Sequence, residues 1–405
     1  MKRISGRDGI ADYVDTLDGF RALGVLLVMV FHFWQQSWFT FSFTVFGYSV
    51  DFTNIVVNGA FGVEVLFILS GFCLYYPLAM HPGRRLHMGA YVYKRAVRIL
   101  PSYLLCVLVC SAYQIGRLDA ATLRSQFIGN MTLTQMMTPA LAYNRINGVL
   151  WSIAIEAQFY VLFPLLAKAV RRRPYLTMLA AFLVGEGFRW YLRDIDYSQI
   201  NFLMNQMPAM IDVFVGGMLA AHVAAQLQRT LEDGQKRSLA PAFALAALMF
   251  LLLWIAAAVY MGRLRYDNMP ENLSRLRMQT RKYLVAGFAG AIGCSVLSAD
   301  WIHKALGNRV ARFFSVISYQ LYLWHIWIAL RLKDFRIPEY ATERPMDDAA
   351  WRAPYLLLSV GLSLAVATAL TYGFERPLSR YLLKRAPRWA RPDPKAGEEA
   401  GNADA

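Results

Sequence analysis

Charge is scarce in this sequence. Only 17% of its 405 residues are Asp, Glu, Lys or Arg, while 57% are hydrophobic; ordinary soluble domains carry roughly 25% charged residues. That shortfall excludes the usual water-soluble globular fold. Cysteine is nearly absent as well. Cys73, Cys106, Cys110 and Cys294 all lie inside apolar stretches, none at metal-ligand spacing to a histidine pair, so neither a disulfide framework nor a metal site is expected. No repeat period is visible, and no polar segment is long enough to form a second, water-soluble catalytic domain. Whatever chemistry the chain performs has to be built from its apolar part. Acidic residues are the scarcer sign, 27 against 42 Lys and Arg. In a soluble chain that excess would point to nucleic acid; in an apolar one the positions of the cations report topology first, and no nucleic-acid partner is expected.

What is abundant is apolar sequence in blocks of about 20 residues, the length that crosses a hydrocarbon core of roughly 30 Å as a helix. Ten such spans are expected, at 19–36, 59–80, 97–116, 149–167, 174–192, 204–225, 240–261, 283–299, 313–330 and 354–374. An even number places both termini on one side. That side carries 25 of the 42 basic residues and the other 15, with Arg21 and Arg189 inside spans, so the positive-inside rule makes both termini cytoplasmic. The polar start shows no cleavable signal pattern, and the mature chain is expected to begin near Met1. The expected fold class is an all-α integral membrane protein, a bundle of about ten transmembrane helices. Residues 1–18 would be a cytoplasmic segment, 19–376 the transmembrane domain, and 377–405 a cytoplasmic, partly disordered tail whose prolines, alanines and scattered charge cannot bury a core.

Ionisable residues inside apolar spans are functional candidates by default, because a charge near the bilayer centre costs at least about 2.5–3.5 kcal/mol. The first span holds Asp18, Arg21 and His32. Eleven residues of helix put Arg21 and His32 within roughly 20° of one another and about 16 Å apart along the axis, with Asp18 roughly 40° from His32. They form one polar face, unless Asp18 and Arg21 are only cap and snorkelling anchor. Glu64 interrupts the second span, ahead of Ser70-Gly71, a pair that lets a neighbouring helix approach closely. Arg95 and Arg98 stack on one helix face, either as a cytoplasmic anchor or as a clamp for phosphate. Glu156 follows Trp151 in the fourth span. Glu186 and Arg189, three apart, read as an internal ion pair; Asp212 reads as interfacial; Glu375-Arg376-Pro377 reads as an ion pair and a helix stop. The Arg-rich stretches 262–282 and 331–352 read as outer loops, suited to an anionic glycan or merely solvated.

Six of these stretches together resemble the acyltransferase 3 family of polytopic membrane acyltransferases, which acylate bacterial surface glycans and some secreted macrolides. In the family's order they are Leu17-Asp18-Gly19-Phe20-Arg21 with His32; Gly62-Val63-Glu64-Val65-Leu66-Phe67 with Ser70-Gly71-Phe72 and Tyr75; Arg95-x-x-Arg98-Ile99-x-Pro101; Trp151-Ser152 with Glu156 and Phe159-Tyr160; Ser318-Tyr319-x-Leu321-Tyr322-Leu323-Trp324-His325; and Glu375-Arg376-Pro377. The similarity spans about 20–376. Glu64 stands where aspartate is more usual, and Ala157 follows Glu156 where a second acid is common. Many glycan-modifying members carry a fused extracytoplasmic hydrolase-like domain, and here only 377–405 follows the last span.

The resemblance implies acyl-CoA-dependent O-acyl transfer, acetyl-CoA being the expected co-substrate, with no metal. It implies His32, Glu156 and Glu64 as catalytic residues, His32 being the general base and one of the carboxylates orienting its ring; an acyl-His32 intermediate is the alternative. Arg21, Arg95, Arg98, Ser70 and Tyr75 would bind acyl-CoA, and Asp18, Trp151, Tyr160 and His325 would support them. The acceptor would be an extracytoplasmic glycan or lipid-linked saccharide, reached directly or through a separate extracytoplasmic transferase, in the bacterial cytoplasmic (inner) membrane. A small secreted metabolite is the alternative acceptor. A transporter or exporter is the non-enzyme rival; it would call for symmetry-related broken helices.

Overall fold

A computed structural model describes residues 13–45, 48–266 and 270–391. Most of the expected segment 1–18 and the tail beyond residue 391 lie outside them. The long helices are α1 (Thr16–Ser37), α2 (Gly62–Met80), α3 (Met88–Tyr113), α4 (Ala120–Met131), α5 (Trp151–Arg172), α6 (Pro174–Tyr191), α7 (Met207–Thr230), α8 (Asp233–Tyr266), α9 (Pro270–Ser295), α10 (Arg309–Asp334), α11 (Ala349–Leu370) and α12 (Arg376–Lys384). A two-stranded antiparallel ribbon, Ser42–Val45 with Tyr48–Asp51, follows α1.

Helix ends follow local chemistry. Asp119, Asn308 and Asp348 cap α4, α10 and α11 by accepting from backbone N–H groups of the first turn, and Pro174 opens α6, where no amide donor is needed. At the other end of α1, Trp38 turns left-handed at φ 51° and stops the helix.

Eight helices among the described residues are long and apolar enough to cross a membrane, nine if one bent pair counts as a single span. The protein is therefore a multi-pass membrane protein, but the ten expected spans are not all met. Span 174–192 coincides with α6, whose apolarity is broken by Glu186 and Arg189. Span 283–299 ends early: Leu276–Ser295 bends by 116° into a short helix, Asp300–Leu306. The expected loop 262–282 is instead mostly the ends of α8 and α9. Nor does the expected helix stop at Glu375-Arg376-Pro377 hold. A π-helical turn, Thr371–Glu375, leads straight into α12, and Glu375 accepts from Gln320 at 2.9 Å rather than pairing with Arg376.

The core is organised around α1, which packs on α2, α10 and α11. Contacts Asp18 to Ser315 and His32 to His325 show that α1 and α10 run parallel. Helix α2 runs antiparallel to α1, and the two touch where Gly62 meets Gly24; a Cβ on Gly62 would lie 2.3 Å from the Gly24 carbonyl oxygen. On its other side α2 meets α7 through Gly71 and Gly217, where a Cβ would fall 2.1 Å and 2.0 Å from facing carbonyls. In a bilayer, where apolar burial drives little association, such backbone contact is what dispersion packing requires. It leaves one stripe of α2 free. Leu66, Ser70, Cys73 and Leu74, at helical spacing, are half-buried while nearly all their neighbours are buried, and they face a cavity.

Candidate active site

The cavity has a volume of about 100 Å³ and lies between α1, α2, α3, α5 and α10. Three guanidinium groups line it: Arg21 from α1, and Arg95 and Arg98 from successive turns of α3. Arg21 reaches the Cys73 thiol at 3.6 Å. Arg95 stands 5.9 Å from the Tyr160 ring centroid, and its Nε is buried without a partner. Glu156 is the carboxylate in the lining. It accepts from Ser70 Oγ at 2.5 Å and from Tyr160 Oη at 2.6 Å, the latter one helical turn away on α5. Both hydroxyls spend their protons on Glu156, which leaves the arginines unneutralised by contact. The lining otherwise carries Ser152, Ser318, Tyr319 and Tyr322. Three cations against one carboxylate make a site for an anion, with guanidinium forks suited to phosphate.

The far end of the cavity is closed by Ser152 Oγ and Tyr322 Oη, 2.6 Å apart. One turn further along α10 is His325, fully buried, and its Nε2 lies 2.8 Å from Nδ1 of half-buried His32. The helical arithmetic that put Asp18, Arg21 and His32 on one face of α1 is matched by where they point. Asp18 accepts from Ser315 at 2.6 Å and from Tyr13, Arg21 enters the cavity, and His32 meets α10.

Several expected site residues lie elsewhere. Neither carboxylate bonds to His32. Glu64, buried, is held by Arg281 at 3.2 Å, and Glu156 is occupied by Ser70 and Tyr160. Tyr75 is buried on another face of α2, its ring centroid 6.4 Å from that of His222, and does not line the cavity. Trp151 packs edge-on against Phe67 at 6.4 Å, supporting the wall from behind.

The residues that sequence reasoning missed are the cations of α9. Arg281, placed in an outer loop, is fully buried and donates to the carbonyls of Met204 and Ala209 as well as to Glu64. Arg277 stacks 5.1 Å from the Phe61 ring, within electrostatic range of Glu64 and His32. Their signal was present in Arg277 and Arg281, one helical turn apart, which marks a helix face rather than a loop. The other outer stretch is also engaged. Lys333 is still inside α10, bonded to Gln36 at 2.9 Å and 4.0 Å from the Trp38 ring.

Beside this lies a second buried ion network. Arg189 forks onto both oxygens of Asp212 at 3.0 and 2.7 Å and also holds Glu186 at 2.7 Å, and Lys282 completes the set at 3.4 Å from Glu186. Asp212 is thus an interior partner, not an interfacial residue. Removing it leaves a buried guanidinium undercompensated. Asp212→Ala should destabilise the fold by an amount at the low end of about 3–5 kcal/mol, because Glu186 remains. A lower melting temperature in detergent, largely restored in the apolar pair Arg189→Met with Asp212→Leu, is the expected result; a single variant as stable as the wild type would refute it.

Proteins of Staphylococcus aureus strains COL, MSSA476 and MRSA252, each carrying the name "Putative O-acetyltransferase", are 22% identical over 343 residues, covering 77% of this chain and 50% of theirs. The chain spans about half the length of the curated relatives it matches. No solved structure matches. A family model described as an acyltransferase domain matches residues 14–372, from the foot of α1 to the π-turn after α11 and so across every wall of the cavity; the chain belongs to that acyltransferase family.

Proposed function

We propose that the protein is a membrane O-acyltransferase that moves an acyl group, acetyl first among them, from cytoplasmic acyl-CoA to a hydroxyl of an extracytoplasmic glycan or lipid-linked saccharide. The observation that carries this reading is the cavity itself. Three arginines stand at one end, and the histidine pair lies just past the other, beyond Ser152 and Tyr322. A donor with phosphates at one end, a thioester at the other and a thin, uncharged arm between them matches that polarity. Arg21 and His32 are separated by about 16 Å of helix. The names of the staphylococcal relatives favour acetyl. With both termini cytoplasmic in a bacterial inner membrane, the arginines face the compartment that holds acyl-CoA.

In the proposed reaction Arg21, Arg95 and Arg98 hold the donor's phosphates. His32 Nε2 takes the proton of the acceptor hydroxyl as its oxygen attacks the thioester carbonyl carbon. The tetrahedral intermediate collapses with cleavage of the C–S bond, and the same proton passes from His32 to the departing thiolate. Products are the acyl ester and free CoA thiol, and His32 is regenerated. Ser152 and Tyr322 hydroxyls, at the end of the cavity, are placed to orient the thioester.

The test is transfer by the purified protein in vesicles. Radiolabelled acetyl-CoA on the arginine side should yield base-labile label in an added envelope glycan, and CoA should raise the melting temperature. Label in a small secreted metabolite instead would move the acceptor class, and neither transfer nor CoA-dependent stabilisation would overturn the reading. A transporter would call for a second broken helix related to the first, and among the described residues there is one bent pair.

A further inference from the structure

The mechanism needs a bare nitrogen on His32 at the atom that meets the acceptor. An imidazole with a near-neutral pKa offers one only if its single proton is kept on the other nitrogen. Sequence reasoning assigned that task to a carboxylate, yet Glu64 and Glu156 are held by other partners. The ring that touches His32 is another imidazole.

We propose that His325 is a positioning residue that keeps the proton of His32 on Nδ1 and so leaves His32 Nε2 as the base. The inference rests on the reading of His32 as general base. Its starting point is the backbone of α10. His325 Nδ1 lies 3.0 Å from the carbonyl oxygen of Leu321 and 2.9 Å from that of Tyr322. Carbonyl oxygens only accept, so Nδ1 of His325 must carry the proton. In a neutral ring its Nε2 is then a bare acceptor, and this is the atom 2.8 Å from His32 Nδ1. Two bare nitrogens facing each other at that distance would repel, so His32 Nδ1 carries its proton and donates it. The assignment passes from a helix backbone through one ring into the next, with no freedom at either step.

The location makes the lock stiff. His325 is fully buried, with the Tyr322 ring 6.0 Å away on one side and Phe33 6.0 Å away edge-on. Its burial leaves Nδ1 bonded to those two carbonyls. The Leu321 and Tyr322 carbonyls already accept helical amide bonds, so the ring uses their second lone pairs and costs the helix nothing. A neutral partner also differs from a carboxylate in consequence. When His32 Nε2 picks up the acceptor proton, the positive charge is shared through Nδ1–H onto the His325 ring and its two carbonyls, rather than quenched by a formal anion. The imidazolium then remains acidic enough to return the proton to the thiolate.

The two rings of the dyad come from α1 and α10 and lie 293 residues apart in sequence. Formation of the base therefore depends on correct packing of those two helices. Asp18 to Ser315 at one end and Gln36 to Lys333 at the other fix the same pairing.

The test uses the full-length protein in vesicles and combines kinetics with a spectrum. In ¹⁵N-histidine NMR of the wild type, the His32 ring should show a protonated Nδ1 and a bare Nε2, a measurement that needs no variant. His325→Ala should lower kcat by about 10²–10⁴-fold, the range between lost acid–base assistance and a wrong tautomer, while the KM for acyl-CoA stays unchanged. His325→Gln, whose amide oxygen can still accept from Nδ1–H, should recover at least part of that loss. A proton found on His32 Nε2 in the wild type, or His325→Ala turning over at near the wild-type rate, overturns the inference. Full turnover by His32→Ala would instead remove the general base itself, leaving the tautomer result standing without a reaction to serve.

Discussion

His32→Ala should reduce acyl transfer to the acceptor by about 10²–10⁴-fold, the contribution of a positioned general base, with donor binding intact. The second half of that expectation follows from geometry. The arginines sit at the other end of the cavity from the histidine pair, so losing the imidazole removes no contact with the donor's phosphates. CoA should therefore still raise the melting temperature of the variant. The same assay separates two chemistries. If His32 is a general base, wild-type protein incubated with labelled donor and no acceptor retains no label after a rapid denaturing quench at neutral pH; if it is a nucleophile, an acyl-imidazole forms with C–S cleavage and the label stays on the protein until that acid-labile bond is hydrolysed. Near-wild-type turnover in His32→Ala would sink both, since the other histidine at that end, His325, has its Nε2 turned to His32 and its Nδ1 bonded to backbone carbonyls.

The parts of this site that could be read from the chain were those set by helix periodicity. Eleven residues between Arg21 and His32, three between Arg95 and Arg98, and four between Glu156 and Tyr160 each fix a shared face before any packing is known. The family resemblance added which faces belong together. What could not be read was pairing between helices remote in sequence. The identity of the residue that holds His32 is decided 293 positions away, and Glu64 finds its cation 217 positions away. The same limit explains the span count. Composition marks α6 as a membrane crossing and the first half of α9, up to residue 282, as part of a loop, because charge alone was visible. The structure shows the charges of both helices neutralising one another inside the bundle, Arg189 with Asp212 and Glu186, Arg281 with Glu64. Buried pairing turns a sequence that looks too polar for a helix core into one that requires it.

Arg95→Ala should raise the KM for acyl-CoA by about 10- to 100-fold, the loss of one charge-assisted hydrogen bond of about 1.5–3 kcal/mol, with kcat little changed. Arg98→Ala should have a smaller effect of the same kind. The ranking comes from burial. Arg95 is half-buried in the cavity wall beside Tyr160, with an unpartnered Nε, whereas Arg98 is exposed at the mouth and its charge is screened by solvent. The two lie on successive turns and would share the proposed ligand, so the double variant should lose a different amount than the sum. Arg95→Lys should restore little, because a single ammonium cannot reproduce a planar fork on phosphate oxygens. The contrary reading, that the pair serves only as a positive-inside anchor, makes the opposite forecast. Under it, lysine is as good as arginine, KM is unmoved, and the alanine variants fail in abundance or orientation instead. Titrating CoA against the melting temperature of Arg95→Ala and Arg95→Lys, with abundance measured in the same membranes, separates a phosphate clamp from an anchor in one experiment.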